Sequence, residues 1–330
     1  MQVAIVILNW NGKTLLEQFL PSVVAHSPEA NIYVADNAST DASVAFVQKE
    51  FPSVKVIRNT ANGGYAKGYN DALREVKEDL FVLLNNDVEV TPNWLQPIIA
   101  AFQEDPKLVA AQPKILDYKN KTYFEYAGAA GGFIDKLGYP FCRGRIFDTL
   151  EKDEGQYNDT APIFWATGAC LFVKRDPFWE AGAFDEDLFA HQEEIDLCWR
   201  LQSLGGVIKY IGASALYHLG GATLSAANPQ KTFYNFRNTL LILLKNKKGA
   251  KVYALLFIRL LLDGLSGIQF LLQGKFQHIW SIIRAHVSFY KLLPKYLQKR
   301  KKYATAYKYW HIPSVVWRYY IQKKRTFNNL

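Results

Sequence analysis

The chain has 330 residues, of which 49% are hydrophobic and 15% aromatic; this composition excludes wholesale disorder and predicts a sizeable core. Charge is unevenly distributed: residues 1–244 carry 21 basic and 29 acidic side chains, whereas residues 245–330 carry 18 basic and one acidic, Asp263. We therefore expect a globular body over residues 1–244 and a basic tail over residues 245–330. Because the tail also contains long apolar stretches, it favours an anionic membrane surface over nucleic acid as its partner.

The N-terminal sequence and the cysteines predict the compartment. Met1 and Gln2 lead directly into an apolar run, without a basic segment or a small-residue cleavage site, so no secretory leader is predicted. The three cysteines, at positions 142, 170 and 198, are odd in number and far apart, which indicates neither a disulfide framework nor a metal motif. We expect a cytoplasmic protein.

The first 105 residues alternate between strand and helix patterns. Apolar runs predict buried strands at residues 3–8, 32–35, 54–57 and 80–84. Helical patterns lie between and after them, at residues 13–27, 41–50, about 64–76 and 92–105. This alternation predicts an α/β fold with a mostly parallel sheet and helices on both faces, in which ligands bind beyond the carboxyl ends of the strands.

The alternation ends after residue 116. Residues 117–160 are rich in Gly, Tyr and Phe and predict antiparallel hairpins and loop. Further patterns predict strands at 164–174 and 207–211, a helix at 193–204, an extended segment at 215–218 and mainly helix from residue 230. We expect a nucleotide-binding half at about 1–115, an acceptor half at about 116–244 and a helical tail at 245–330.

Polar residues crowd the ends of the predicted strands. They form Asn9-Trp10-Asn11-Gly12, Asp36-Asn37-Ala38-Ser39 and Asn85-Asn86-Asp87, which lie side by side along one rim of a parallel sheet. An Asp at this rim can accept a hydrogen bond from a nucleobase or a ribose hydroxyl, and the Gly-rich stretch 62–69 lets the backbone approach a diphosphate. Each segment alone is equally consistent with an ordinary turn.

Five segments in order resemble family 2 glycosyltransferases with the GT-A fold, over roughly residues 1–240. Within that family, the segments most resemble the bacterial rhamnosyltransferase-like branch of surface-polysaccharide enzymes. The segments are residues 3–12, Val34-Ala35-Asp36-Asn37-Ala38-Ser39-Thr40-Asp41, residues 62–70, Leu83-Leu84-Asn85-Asn86-Asp87-Val88-Glu89 and Glu193-Glu194-Ile195-Asp196-Leu197-Cys198-Trp199-Arg200.

The resemblance implies a nucleotide-sugar donor, inversion at the anomeric carbon and a site at the sheet rim. Asp36 matches the acid that binds the base, and Asn85 is at most a sugar or ribose contact. The other residues that it assigns to nucleotide binding are Asn9, Asn11, Asn37, Asn62, Gly63, Gly64, Asn70 and Asn86.

The resemblance also implies a divalent cation. Asn85-Asn86-Asp87 stands where the family has an Asp-x-Asp-type motif, and only the last acid is kept, so Asp87 is the expected ligand. His218, in Tyr217-His218-Leu219-Gly220-Gly221, matches a histidine that completes the site. A carboxylate, an imidazole and diphosphate oxygens suit Mn²⁺ or Mg²⁺, and the cation neutralises charge on the leaving diphosphate. The alternative for His218 is a strand-end histidine bonded to a carbonyl.

The acidic segment at the start of the 193–204 helix is the expected position of the catalytic base. The matching residue is Glu194, where the family more often has Asp, so Glu193 and Asp196 remain alternatives. We expect the helix N-terminus to keep the base ionised. Trp165, Thr167 and Gly168 resemble an acceptor-side loop, although Trp165 is equally consistent with core packing.

The tail contains an apolar segment, residues 252–272, and an amphipathic segment, residues 276–296. The first is just long enough to span a bilayer, but Arg259 and Asp263, four residues apart, would then pair near its centre, so a shallow interfacial helix is favoured. Lys299-Arg300-Lys301-Lys302 is expected to attract anionic lipid. Alternatives are a helical pair packed on the body or a homo-oligomer interface. Peripheral association with the inner face of a bacterial membrane implies a glycan or polyprenyl-linked acceptor.

Other functional classes fit less well. A dinucleotide-binding oxidoreductase requires Gly-x-Gly-x-x-Gly after the first strand, where this chain has Asn-Trp-Asn-Gly. A sugar nucleotidyltransferase would have a Gly-rich run with a basic residue at that point. A catalytically degenerate glycan-binding or scaffold protein is permitted by the missing first acid of the metal motif, but the presence of Asp87, Glu194 and His218 argues against it.

Overall fold

The computed structural model describes residues 1–220 and 228–330, which form a sheet-centred body and a helical C-terminal region. Its helices are α1 (Lys13–Ala25), α2 (Ser43–Glu50), α3 (Gly64–Ala72), α4 (Gln96–Glu104), α5 (Arg175–Glu180), α6 (Glu193–Ser203), α7 (Pro229–Asn246), α8 (Lys251–Leu272) and α9 (Phe276–Tyr303). Its strands are β1 (Val3–Asn9), β2 (Ala30–Asp36), β3 (Lys55–Arg58), β4 (Leu80–Asn85), β5 (Val88–Val90), β6 (Leu108–Asp117), β7 (Gly132–Ile134), β8 (Pro140–Cys142), β9 (Arg145–Ile146), β10 (Thr149–Leu150), β11 (Thr160–Pro162), β12 (Cys170–Lys174) and β13 (Val207–His218).

The central sheet has the order β11-β13-β6-β12-β4-β1-β2-β3, with β5 paired to β13. It is mostly parallel, and β12 runs antiparallel between β4 and β6. The inner strands are continuous apolar runs because both of their faces are covered, and a separate hydrophobic cluster packs on each face. A smaller four-stranded antiparallel sheet, β10-β9-β8-β7, lies within the segment predicted to contain hairpins.

Several element boundaries differ from the predicted ones for identifiable reasons. The predicted helix start at residue 92 is wrong: Thr91 donates its hydroxyl to the carbonyl of Ala215 (2.7 Å) instead of capping a helix, and α4 begins at Gln96. The strand predicted over 164–174 is confined to β12. The two segments predicted at 207–211 and 215–218 form one strand, β13, with a register shift between Ile211 and Ala215.

The C-terminal helices begin inside the body. Helix α7 is buried over Leu240–Leu244, and the predicted boundary at residue 244 falls within it, so the division into body and tail stays a prediction. Helices α8 and α9 form a hairpin, and α9 also packs along α7. In the described part of the chain, only α8 is long and apolar enough to cross a membrane, by length and composition alone.

Candidate functional site

Strand register brings the predicted rim residues together. Asn9 at the end of β1 is opposite Asp36 at the end of β2, and Leu8 is opposite Asn85 at the end of β4. Asn9 accepts a hydrogen bond from Asn86 (3.0 Å), and both lie against Gly12, where a Cβ atom would be 2.4 Å from each side chain. Gly12 therefore allows the close approach that joins the first and fourth strand ends.

Asp36 is the buried acid of the rim. Its Oδ2 accepts the backbone N–H of Ser39 (3.1 Å), whereas its Oδ1 is buried without a partner among the described residues. An unpartnered buried acceptor is costly unless a ligand supplies the donor. Asn11, by contrast, is exposed and uses its side-chain oxygen to hold the backbone of Thr40 (2.7 Å).

The Gly-rich segment packs beside this acid. Asn37 donates to Asn62 (2.9 Å) and to the carbonyl of Gly64 (3.1 Å), and it accepts from Asn59 (3.1 Å), which the sequence did not single out. Gly64 has φ +75°, a conformation that favours glycine, and it begins α3 one residue after Gly63. Asn70 is tied to the backbone of Phe184 in both directions (2.9 and 3.0 Å), so it braces this segment and has little capacity left for a nucleotide.

Asp87 and His218, 131 residues apart, meet at the opposite end of the rim. Strand β13 pairs with β5 so that His218 is opposite Val88, and His218 Nε2 lies 3.1 Å from Asp87 Oδ1. Both side chains are buried. The amide of Asn85 is 3.4 Å from the same ring nitrogen. The separation between carboxylate and imidazole allows both to contact one cation.

Glu125 is a third member of this cluster, which the sequence analysis missed. It is buried, and its Oε2 lies 3.4 Å from Nδ1 of His218. Burial lowers the pKa of His218, but the charge of Glu125 and the hydrogen bond to Asp87 outweigh it and raise the pKa to about 10. The imidazole thus lies in a strongly negative field, which a bound cation would neutralise.

The donor set fits a divalent cation held by two protein ligands. Asp87 offers an oxygen, and His218 offers Nε2 once the cation displaces the proton that its raised pKa retains, while Glu125 lies 3.4 Å from the other ring nitrogen. Among residues 1–220 and 228–330, no group of three or more His, Cys, Asp or Glu side chains has the geometry of a metal site. Further ligands would have to come from substrate or water. Gly221, of the His218 motif, lies outside the described residues.

Glu193 and Glu194 are the first two residues of α6 and are both carboxylates. Each has an Oε2 atom that is buried and has no partner among the described side chains. Burial raises the pKa of Glu194 to about 7, against the lowering effect of backbone N–H groups at the helix start. Desolvation therefore outweighs the stabilisation that the helix N-terminus gives to the charged form of Glu194. Burial, and then the charge of Glu194, raise the pKa of Glu193 further above its ordinary value.

Asp196 occupies a different environment from the two glutamates. It is fully buried and its oxygens accept from Arg200 (2.8 Å), Lys245 (2.7 Å) and Asn246 (2.8 Å). Burial opposes its charge, but Arg200 and Lys245 hold its pKa below the ordinary value. Its carboxylate is already engaged on both oxygens, so it is not available as the alternative base that the sequence left open.

The predicted acceptor loop is mostly interior. Trp165 is 3% exposed, packs on Gly132 and donates its indole N–H to the carbonyl of Phe133 (3.0 Å), so core packing explains it and sugar stacking does not. Thr167 is buried and bonded to the carbonyl of Ala127 (2.8 Å). Gly168 keeps partial exposure, and its carbonyl accepts the hydroxyl of Tyr65 (2.8 Å). The negative charges of Glu193 and Glu194 reach this tyrosine and contribute to raising its pKa, after burial.

The charged residues of the tail are used differently from the prediction. Arg259 and Asp263 pair as their spacing predicts (3.3 Å), but on the buried face of α8, where Arg259 also lies 3.8 Å from the Tyr139 ring centroid. Two of the four basic residues expected to attract lipid point inward: Lys299 binds Asp185 and Asp187, and Arg300 binds carbonyls at the end of α7. Lys301 and Lys302 remain exposed.

Comparison with known proteins places this geometry in context. The model of the family described as Glycosyl transferase family 2 matches residues 4–182. The chain is 28% identical, over 225 residues, to an N-acetylglucosaminyl-diphospho-decaprenol L-rhamnosyltransferase of Mycobacterium tuberculosis (strain CDC 1551 / Oshkosh), covering 63% of this chain and 73% of that protein.

Solved structures share the fold at low identity. S. aureus TarS 1-349 in complex with UDP-GlcNAc has a TM-score of 0.56 and 16% identity, covering 92% of this chain and 88% of that one. GalNAc-T7 with UDP, GalNAc and Mn²⁺ has a TM-score of 0.60 and 17% identity, covering 76% of this chain but only 49% of that one.

Proposed function

This chain belongs to glycosyl transferase family 2, has the GT-A fold and is a glycosyltransferase, and we propose that it transfers a sugar from a nucleotide-sugar donor to a glycan or lipid-linked acceptor hydroxyl in cell-surface polysaccharide synthesis. The similarity to a mycobacterial rhamnosyltransferase supports dTDP-rhamnose as donor, with a UDP-sugar as the alternative. The observation that carries the proposal is the 3.1 Å separation of Asp87 and His218 at the rim where Asp36 has a free buried oxygen.

We assign Asp87 and His218 as ligands of Mn²⁺ or Mg²⁺, with Glu125 orienting the imidazole. A divalent cation held by these residues would supply positive charge to the nucleotide diphosphate as the sugar leaves. Asp36 accepts a hydrogen bond from the base or ribose, and the 62–70 segment supplies backbone next to the nucleotide. The presence of Mn²⁺ in the structure of GalNAc-T7, which shares this fold, supports the metal.

Glu194 is the proposed base. Its pKa of about 7 lets it be ionised in the resting enzyme and still accept a proton from an acceptor hydroxyl as that oxygen attacks the anomeric carbon. A single base and direct displacement invert the anomeric configuration. Burial and the charge of Glu194 also raise the pKa of Glu193, which lies beside the proposed base at the start of α6.

We further propose that the α8–α9 hairpin lies on the inner face of the bacterial membrane. The outward face of α8 exposes Phe257 (62%) and Leu261 (57%), and α9 adds Trp280 (61%). Because Arg259 and Asp263 are committed to the inward face, the helix can lie in the interface without burying a charge in lipid. An interface between two copies of this chain is the alternative occupant of this face.

The test of the transfer reaction is nucleotide release from a panel of dTDP-, UDP- and GDP-sugars with and without Mn²⁺. We expect one donor class to be hydrolysed slowly only with metal. Asp87→Ala should abolish the metal-dependent part, whereas Asp105→Ala, in a half-buried ion pair with Lys209 at the end of α4, should not change it. A folded wild-type protein that binds nucleotide sugars but releases nothing with any acceptor would instead indicate a degenerate scaffold.

The membrane placement has a separate test, co-sedimentation with phosphatidylglycerol vesicles. Phe257→Glu and Trp280→Glu should each reduce the bound fraction, because a carboxylate on the apolar face resists insertion. Leu204→Glu is the matched control, since Leu204 is 66% exposed on the body. Concentration-dependent dimerisation that both hairpin variants abolish, without vesicle binding by wild type, would assign the face to a second copy.

A further inference from the structure

Two basic side chains that the proposed reaction does not use converge on one exposed tyrosine. The guanidinium of Arg145 lies 4.5 Å from the ring centroid of Tyr126, and the ammonium of Lys231 lies 5.5 Å from the same centroid. Arg145 also donates its Nε–H to the carbonyl of Tyr126 (2.9 Å). The ring is 41% exposed, so the two cations flank an aromatic surface that a ligand can reach.

These cations have no direct carboxylate partner. Arg145 is 6% exposed and its Nη2 contacts the sulfur of Cys142 (3.6 Å); burial opposes its charge, but its neighbours, Cys142 first, raise its pKa. Neither cation has a carboxylate within ion-pair distance in the part of the chain that the structure describes; the nearest acid, Glu125, is the partner of His218. Burial lowers the pKa of Lys231, Glu125 offsets this in part, and Arg145 lowers it again. Two like charges held together in a half-buried site are stabilised when an anion binds between them.

Helix α7 adds to the positive potential at this position. Lys231 lies in the first turn of this 18-residue helix, which contains no acidic side chain in that turn. The helix dipole disfavours a cation there and favours an anion. The position of Lys231 is therefore unfavourable for the free protein and favourable for binding a negatively charged group.

The cluster borders the proposed site on the side away from the nucleotide. Glu125, next to Tyr126, faces Nδ1 of His218, whereas the metal position is on the Nε2 side. His191, three residues before Glu194, is close enough to Lys231 for that charge to add to burial in lowering its pKa to about 4. The charge of Lys231 thus acts on the segment that leads into α6, on which the proposed base lies.

The same cluster adjoins the tip of the α8–α9 hairpin. Thr232, which follows Lys231, hydrogen-bonds His278 (2.7 Å), and His278 stacks on Phe270 (4.8 Å between centroids). The residues at this tip are apolar and exposed: Leu272 at 84% and Phe276 at 65%. A phosphate bound at Lys231 would have its lipid chain next to this apolar tip.

We infer that Arg145, Lys231 and Tyr126 form an anion subsite that binds the phosphate groups of a prenyl-diphosphate-linked acceptor, with the lipid directed to the hairpin tip. This rests on the proposed function and specifies its acceptor class. The cations hold the diphosphate of the acceptor, so that the sugar attached to it extends toward Glu194. No covalent step occurs at this subsite.

The test uses farnesyl diphosphate as the probe, titrated into full-length protein in EDTA, so that no cation at Asp87 and His218 can contribute. We expect saturable binding by wild type, and Lys231→Gln and Arg145→Gln each to weaken it about tenfold or more. Lys231→Arg, which keeps the charge, should stay within about threefold. Lys275→Gln removes the same charge from an exposed tip residue and should have little effect.

Nucleotide binding separates this inference from the proposed function. The affinity of dTDP and UDP in Mn²⁺ is measured for the same variants. A loss of nucleotide affinity with intact farnesyl diphosphate binding would assign the cations to the donor and overturn the inference. So would a wild type that does not bind farnesyl diphosphate, or equal weakening by Lys275→Gln. Failure of the transfer reaction itself appears only in the nucleotide-release assay, which needs no acceptor phosphate.

Discussion

The first turn of α6 carries carboxylates in two opposite electrostatic environments. Asp196 is surrounded by Arg200, Lys245 and Asn246, and its pKa is lowered. Glu194, two residues earlier, is buried without a cationic partner, and its pKa rises to about 7. Both sit at the same helix N-terminus, so the macrodipole does not explain the difference. The cations contributed by later segments decide which acid is structural and which is free to exchange a proton.

This contrast gives the acidic segment two roles. Asp196 fixes α6 against α7 through Lys245, which also binds Asp185 (2.7 Å). Lys299 of α9 reaches the same Asp185. The first turn of α6, which carries Glu194, is therefore anchored by an ion cluster to which the C-terminal helices contribute. We expect substitutions in this ion cluster to alter stability and substitutions of Glu193 or Glu194 to alter rate.

Glu194→Gln changes the proposed base and should have the largest effect on activity. Losing a general base lowers kcat by about 10²–10⁴-fold, while donor affinity stays near wild type. Steady-state kinetics with a responsive acceptor, together with nucleotide titration, measure the two quantities. Glu193→Gln is the matched comparison and should retain more activity. If Glu193→Gln is inactive while Glu194→Gln turns over normally, the base is Glu193.

Asp196→Asn changes the carboxylate that pairs with Arg200 and Lys245. Removing one partner from a buried ion pair leaves uncompensated charge, so the free energy of unfolding should fall by about 3–5 kcal/mol in urea titrations. Asp176→Asn, in an exposed pair with Arg175, is the control and should leave unfolding unchanged. An Asp196→Asn protein of normal stability that lacks activity would reverse the roles assigned to the two carboxylates.

The pH–rate profile sharpens the same contrast in the unmodified enzyme. Because the base must be ionised, kcat/KM should rise with pH and level off above a midpoint near 7, the pKa of Glu194. A midpoint at the ordinary value of a glutamate would mean that Glu194 is not desolvated. A rate that falls as pH rises over this range would exclude a carboxylate base.

The smallest effect concerns stability. The pKa of Glu194 is higher in the folded protein than in the unfolded chain, so ionisation of this carboxyl favours unfolding. The free energy of unfolding therefore falls as pH rises from the ordinary pKa of a glutamate toward 7. Glu194→Gln removes this cost and should raise Tm by a few degrees at pH 8. The gain should shrink toward pH 5. Thermal scans at the two pH values provide the check, and an equal shift at both would point to packing instead.

Sequence patterns predicted the parts of this fold that depend on local composition. The apolar runs that become β1 and β4 end in polar residues, and parallel pairing then brings Asn9, Asp36 and Asn85 to one rim. The meeting of Asp87 with His218 could be expected only from the resemblance to a family. It depends on how β13 pairs with β5, which no local pattern reveals.

Other features depended on contacts between distant segments. Glu125 lies in an irregular stretch and reaches His218 because its backbone pairs with Ile115 (3.0 Å). The partner of Asp196, Lys245, is 49 residues away, and Lys299 reaches Asp185 across 114 residues. The charge of the segments predicted an acidic helix and a basic tail, but only the packing of α7 and α9 shows that they neutralise each other in part.

The central claim is that one divalent cation is bound by Asp87 and His218, and pulsed electron paramagnetic resonance of Mn²⁺ tests it most directly. The protein, which has six histidines, is labelled with ¹⁵N-histidine and loaded with Mn²⁺ and a nucleoside diphosphate. We expect a ¹⁵N hyperfine coupling that His218→Ala removes and His26→Ala, at the end of α1, retains. Tightly bound Mn²⁺ without this coupling, or a coupling unchanged by His218→Ala, would contradict it.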